Sequence, residues 1–224
     1  MVPQDIRIGP LGLAGQLVVP AHAQGLVLFA HGSGSSRLSP RNRYVAESLH
    51  RRRLGTLLFD LLTEDEDADR ANVFDIALLA GRLVQAIDGC AAHGELVALP
   101  LGLFGASTGA AAALAAAAER PRSVQAVVSR GGRPDLAAPV LARVRAPTLL
   151  IVGEADREVL ALNRDALRQL ACEKQLQVVP GATHLFEEPG TLEQVADLAG
   201  AWFATQLARR TPSAASGTAA GNTP

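Results

Sequence analysis

The chain predicts an α/β fold, a mostly parallel sheet with helices on both faces and no large cap domain. Three observations point there. Apolar runs without polar alternation, such as Gly25-Leu26-Val27-Leu28-Phe29-Ala30 and Thr148-Leu149-Leu150-Ile151-Val152, read as strands buried on both faces. Stretches of helical length and pattern separate them. One strand, ending at Phe104, runs into Gly105-Ala106-Ser107-Thr108-Gly109 and then directly into an alanine-rich helix. At 224 residues the chain has room for a single such domain, taken here as 1–210.

The elements follow in order. Ile6–Ile8 and Gln16–Val19 read as short strands, paired as an antiparallel hairpin at the sheet edge. Gly25–Ala30 is a buried strand that opens into a Gly- and Ser-rich loop at His31. Arg41–Arg53 reads as helix and Thr56–Asp60 as strand. A polar loop, Thr63–Asn72, precedes a helix over Val73–Ile87. Its Glu64-Asp65-Glu66-Asp67 run reads as a solvated surface, with a lid as the alternative. Leu96–Phe104 reads as strand, Thr108–Glu119 as helix and Val124–Ser129 as strand. Only one short helix fits between Ser129 and Pro147, which leaves a site roofed by loops alone. Thr148–Val152, a helix over Arg157–Leu170, a strand over Leu176–Val179 and a helix over Leu192–Ala208 complete the domain. Residues 211–224 are Ser, Thr, Ala, Gly and Pro without pattern, as expected of a disordered tail.

Composition narrows the function classes. Hydrophobic residues make up 48% and aromatics only 4%, so Leu, Val, Ile and Ala must build the core. A net charge of −1 argues against nucleic acid or an anionic membrane as partner. No apolar run is long enough to span a bilayer. Ala21-His22-Ala23 follows an apolar stretch, but no positive start precedes it, so a cytoplasmic protein is expected rather than a secreted one. Cys90 and Cys172 could form a disulfide, and neither has histidines at metal-ligand spacing. No metal and no organic cofactor is expected. The protein is read as a monomer or homodimer.

The chemistry rests on three strand ends. Gly-x-Ser-x-Gly between a strand and a helix is the nucleophile-elbow pattern, in which a sharp turn lifts the Ser107 hydroxyl clear of the backbone. The strand Thr148–Val152 leads to a loop that presents Glu154 and Asp156. The next strand leads through Gly181-Ala182-Thr183 to His184. His184 would take the Ser107 proton, and Asp156 would orient the imidazole and stabilise its charged form. Glu154 is the nearest rival for the acid, Asp135 a remoter one, and Asp156 could instead cap the following helix. An oxyanion needs donors already in place. Thr108 N–H at the helix start supplies one, and the loop after Ala30 the other, through Ser33 or its competitor Gly32. Arg130 follows the neighbouring strand and is expected near the mouth of the site. There it either binds an acidic substrate group or forms a salt bridge to Asp60 or Glu187. His22, His50 and His93 read as solvated.

The order Ser107, Asp156, His184 is that of α/β-hydrolases. The elbow Gly105–Gly109, the Pro147–Asp156 segment and Gly181-Ala182-Thr183-His184 resemble the dienelactone hydrolase family, over roughly 26–203. His31-Gly32-Ser33-Gly34-Ser35-Ser36-Arg37 and Ser129-Arg130-Gly131-Gly132-Arg133 are similar to a dienelactone-hydrolase-like subgroup. The resemblance implies a capless α/β-hydrolase and gives His31 a supporting role beneath the oxyanion loop. Dienelactone hydrolases proper carry cysteine where Ser107 stands, and a glutamate near the oxyanion loop. The serine here points instead to a carboxylesterase acting on simple esters or lactones. An acyltransferase using the same triad, or a non-catalytic hydrolase-like binding protein, are the alternatives.

Overall fold

The computed structural model describes residues 2–209, so the expectation for 211–224 lies outside the described residues. Its strands are β1 (Gln4–Ile8), β2 (Leu13–Val18), β3 (Gly25–Ala30), β4 (Leu54–Phe59), β5 (Leu101–Ala106), β6 (Val124–Arg130), β7 (Thr148–Gly153) and β8 (Lys174–Val179). They form an eight-stranded sheet in the order β1-β2-β4-β3-β5-β6-β7-β8. β1 pairs antiparallel with β2, and β2 antiparallel with β4; every other pairing is parallel. The hairpin at the edge is thus present; β3 to β7 are buried almost throughout, while β8, at the opposite edge, is largely exposed.

Helices cover both faces: α1 (Pro40–Arg51), α2 (Glu64–Asp67), α3 (Arg70–Phe74), α4 (Ile76–Ala91), α5 (Thr108–Glu119), α6 (Arg157–Gln169) and α7 (Thr191–Ala208). Alternate residues of the central strands feed opposite cores, as a period of two requires. Leu26 and Leu28 of β3, with Leu103 and Leu150, pack toward α4 and α5. Val27 and Phe29, with Phe104, Val128 and Ile151, pack toward Leu49 of α1 and Val195, Ala199 and Phe203 of α7. The alanine run of α5 is buried almost entirely, its small side chains bringing the helix close to the sheet behind the elbow. Between β6 and β7 the chain makes only a 3-10 helix, Pro134–Arg143, so no cap covers the strand ends.

Three expectations are corrected. The strand read as Leu96–Phe104 begins at Leu101; Gly94–Ala98 is a 3-10 turn, and Pro100, without an N–H, cannot lie within a central strand. Its carbonyl still accepts the Leu26 N–H at 2.9 Å. The acidic loop contains α2, closed by a capping box: Thr63 Oγ1 accepts from the Glu66 N–H (3.2 Å), and Glu66 Oε2 from the Thr63 N–H (3.0 Å). Glu66 also binds Arg82 at 2.6 Å, which ties α2 down on α4 and argues against a free lid. The helix read as Val73–Ile87 is divided at Asp75, whose carboxylate accepts the Leu78 N–H (2.9 Å) and so starts α4 afresh. Cys90 and Cys172 are free thiols. No helix among the described residues is long and apolar enough to cross a membrane.

Candidate active site

The elbow is built by steric need. Ser107 sits at φ 51°, ψ −122°, between β5 and α5, in a region an L-residue occupies only under constraint. The constraint is close packing. A Cβ on Gly109 would lie 2.1 Å from the Ala30 carbonyl oxygen and 2.4 Å from that of His31. A Cβ on Gly105 would lie 2.4 Å from Ala110 Cα. Both obstacles are backbone and cannot rotate away. Gly109→Ala is therefore expected to cost about 3 kcal/mol or more of stability. Urea unfolding measures it, and an unchanged midpoint at unchanged slope would contradict this reading.

His184 lies on the loop after β8, and its Nδ1 is 2.6 Å from Asp156 Oδ2. Asp156 occupies the position before α6, yet its side chain makes no capping bond and turns to the imidazole instead. Its side chain is 14% exposed, against 38% for His184. The rivals are engaged elsewhere. Glu154 Oε2 accepts the Gly181 N–H at 2.9 Å, and Asp135 binds Arg133 at 2.9 and 2.8 Å. Glu188 braces the histidine loop, accepting from Thr183 N–H (3.1 Å) and Thr183 Oγ1 (2.6 Å). Ser107 and His184 line one cavity of about 220 Å³, together with Gly32, Ser33 and Arg130. Ser107 Oγ has no hydrogen-bond partner among the described residues. A larger groove, about 520 Å³, lies between α1, β2 and β4 beside Arg43 and His50, and holds neither Ser107 nor His184.

His31 is buried beneath the loop at the end of β3. Its Nδ1 is 3.1 Å from the Gly32 carbonyl, and its Nε2 accepts the Leu61 N–H at 3.1 Å. Those two partners require the Nδ1–H tautomer. Burial, chiefly, holds its pKa below the usual histidine value. His50 is not solvated as expected: it is half-buried, 2.7 Å from Thr56 Oγ1, and burial lowers its pKa as well. A histidine with a depressed folded-state pKa contributes stability that is fully present above the unfolded value and is lost as pH falls through it. The urea midpoint is therefore expected to fall between about pH 7.5 and 5.5, the window around an ordinary histidine pKa. A flat or rising midpoint across that window would contradict the assignment.

The loop after β3 packs directly on the elbow. A Cβ on Gly32 would lie 2.9 Å from Ser107 Cβ and 3.0 Å from the Ala106 carbonyl, so only glycine lets the loop come this close. Thr108 N–H has no partner among the described residues. Ser33 N–H does have one: it donates to Thr108 Oγ1 at 3.0 Å, a link the sequence reading missed.

Arg130 departs most from expectation. It lies at the site but is only 7% exposed, not spread at the mouth. Neither expected salt bridge forms. Asp60 is taken by Arg37, through both its N–H and its guanidinium, and Glu187 by Arg41 at 3.2 Å. The Arg130 guanidinium lies over the Phe186 ring, 6.0 Å from its centroid.

No protein-family model matches the chain. It is similar to the crystal structure of a dienelactone hydrolase from Anabaena variabilis ATCC 29413, at 57% identity and TM-score 0.87, over 91% of this chain and 98% of that one. The chain belongs to the dienelactone hydrolase family of α/β-hydrolases. Est1E from Butyrivibrio proteoclasticus shares the fold at 16% identity and TM-score 0.78, over 93% of this chain and all of that one. Two Mycobacterium tuberculosis proteins, from strains CDC 1551 / Oshkosh and ATCC 25618 / H37Rv, are each 60% identical over 209 residues and carry the name "Putative phosphoribosyl transferase". The match covers 93% of this chain but 47% of theirs, so the chain spans about half the length of these relatives.

Proposed function

We propose that this protein is a serine hydrolase that cleaves small carboxylic esters or lactones through an acyl-enzyme on Ser107. The contact between His184 Nδ1 and Asp156 Oδ2 carries the reading, because it turns the imidazole's other nitrogen toward use as a base beside a strained, unengaged serine. His184 Nε2 takes the Ser107 proton as Oγ attacks the carbonyl carbon. The same nitrogen returns the proton to the leaving alcohol. Water, activated by His184 in turn, attacks the acyl-enzyme and releases the acid. Asp156 keeps the imidazole in the Nδ1–H tautomer and stabilises its cation.

Thr108 N–H, at the positive end of α5, is one donor to the tetrahedral oxyanion. Ser33 N–H is the second, and it must leave Thr108 Oγ1 to serve. Gly32 keeps that loop against Ser107 and lines the substrate's space. No step in this sequence needs a metal or an organic cofactor. The phosphoribosyl-transferase name belongs to proteins of which this chain matches 47%, and the elbow, acid and histidine present here support hydrolysis.

Purified protein given p-nitrophenyl acetate and butyrate is expected to release nitrophenolate with a burst of about one equivalent per active site where deacylation limits turnover. Absence of release with both esters would contradict the reading.

A further inference from the structure

We propose that Asn163 is a positioning residue for Ser107 and His184, because it holds the Arg130–Arg133 turn in the place from which that turn fixes both. Its role rests on the hydrolase reading and extends it to a residue that touches neither substrate nor the reacting atoms.

The turn that follows β6 grips the nucleophile by both backbone groups. Ser107 N–H donates to the Arg130 carbonyl at 3.2 Å, and Arg133 N–H donates to the Ser107 carbonyl at 3.1 Å. Ala110 N–H shares that carbonyl, also at 3.1 Å. A serine held at φ 51° needs such restraint, since its own preference is for other conformations. The same turn backs the base. Gly131, at φ 52°, lies so close to His184 that a Cβ there would stand 3.2 Å from the His184 carbonyl oxygen and 3.5 Å from its Nδ1. The Gly131 N–H donates to the Ile151 carbonyl at 2.8 Å, on the strand that leads to Asp156.

Asn163 holds the middle of this turn. It is fully buried, and its Nδ2 donates to the Gly132 carbonyl at 2.9 Å and to the Val159 carbonyl at 2.8 Å. No other hydrogen bond reaches the Gly132 carbonyl among the described residues. Packing at that glycine is tight, since a Cβ would lie 2.0 Å from Ser129 Oγ and 2.6 Å from Ala110 Cβ. Ser129 Oγ itself has no hydrogen-bond partner among the described residues, so contact alone comes from that side. The other amide atom of Asn163, Oδ1, is buried without a partner among the described residues. Burying it is a cost, which the two bonds of Nδ2 must offset. Asn163 stands on α6 about two helical turns beyond Asp156. One side chain therefore couples the helix that begins at the acid to the turn that holds nucleophile and base.

Two substitutions separate this role from support of the helix. Asn163→Ala removes both bonds. Asn163→Ser removes only one, because a helical serine hydroxyl reaches the carbonyl four residues back, here Val159, and falls short of Gly132. Both variants are expected to lower kcat for p-nitrophenyl butyrate about 10- to 100-fold with KM within about 2-fold, and to slow fluorophosphonate labelling of Ser107 in proportion. Thr148→Val is the control. Thr148 is fully buried, and its Oγ1 donates to the Ala146 carbonyl at 2.9 Å, at the end of β7 away from Asp156. Its loss should lower the urea midpoint, as in the Asn163 variants, while kcat and labelling stay at wild-type values. Wild-type kcat and labelling in Asn163→Ser would reduce Asn163 to a helix-supporting residue and overturn the positioning role, with the hydrolase left standing. A wild-type protein that neither cleaves the ester nor takes the label would instead overturn the hydrolase reading, and the role with it. Should Asn163→Ala not fold, Asn163→Ser decides, because its bond within the helix is kept.

Discussion

Ser107→Ala is expected to lower turnover of p-nitrophenyl butyrate by about 10⁴- to 10⁶-fold, the range found when a serine nucleophile is deleted from a triad. Stability should hardly move. The hydroxyl removed makes no hydrogen bond among the described residues, and alanine inherits the same backbone conformation at φ 51°. The gap between the two effects is informative. A large loss of activity with an unshifted urea midpoint assigns the hydroxyl to chemistry. Equal turnover in the variant would mean that some other group attacks the ester.

Asp156→Asn is expected to lower kcat by about 10³- to 10⁴-fold with little change in KM, because the amide can donate to Nδ1 and so favour the wrong imidazole tautomer. Glu154→Gln should cost less than about 10-fold. Its carboxylate accepts the Gly181 N–H on an exposed turn and does not touch the imidazole. Glutamine retains an acceptor for that N–H, so the comparison is balanced between two carboxylates on one loop. If Glu154→Gln proves the slower variant, the acid has been misassigned. Steady-state kinetics of both proteins, with their urea midpoints, provides the measurement.

The parts of this molecule that were legible in its sequence are those with no chemical substitute. Glycine at 105 and 109 is required by backbone atoms closer than any Cβ tolerates, so the elbow shows through an alanine-rich background. Unbroken apolar strands announce a sheet covered on both faces, and the short interval from Ser129 to Pro147 announces the missing cap. Details set by competition between neighbours were less accessible. Glu154 and Asp156 differ only in which partner each carboxylate finds, Gly181 N–H or His184, and that choice is made by the fold. Asp75 looks like any polar residue until it is seen to cap α4, and Pro100 could have warned that β5 starts late. The isolation of Arg130 is the extreme case. It depends on Arg37 and Arg41 having taken the two carboxylates that a sequence reading would offer it.

The central claim is that Asp156 and His184 activate Ser107. Labelling with a fluorophosphonate, followed by intact-mass and peptide mapping, tests this without knowledge of the natural substrate. A single adduct on Ser107, lost in His184→Ala, is the result expected. An unlabelled wild-type protein, or an adduct carried on another residue, would contradict it.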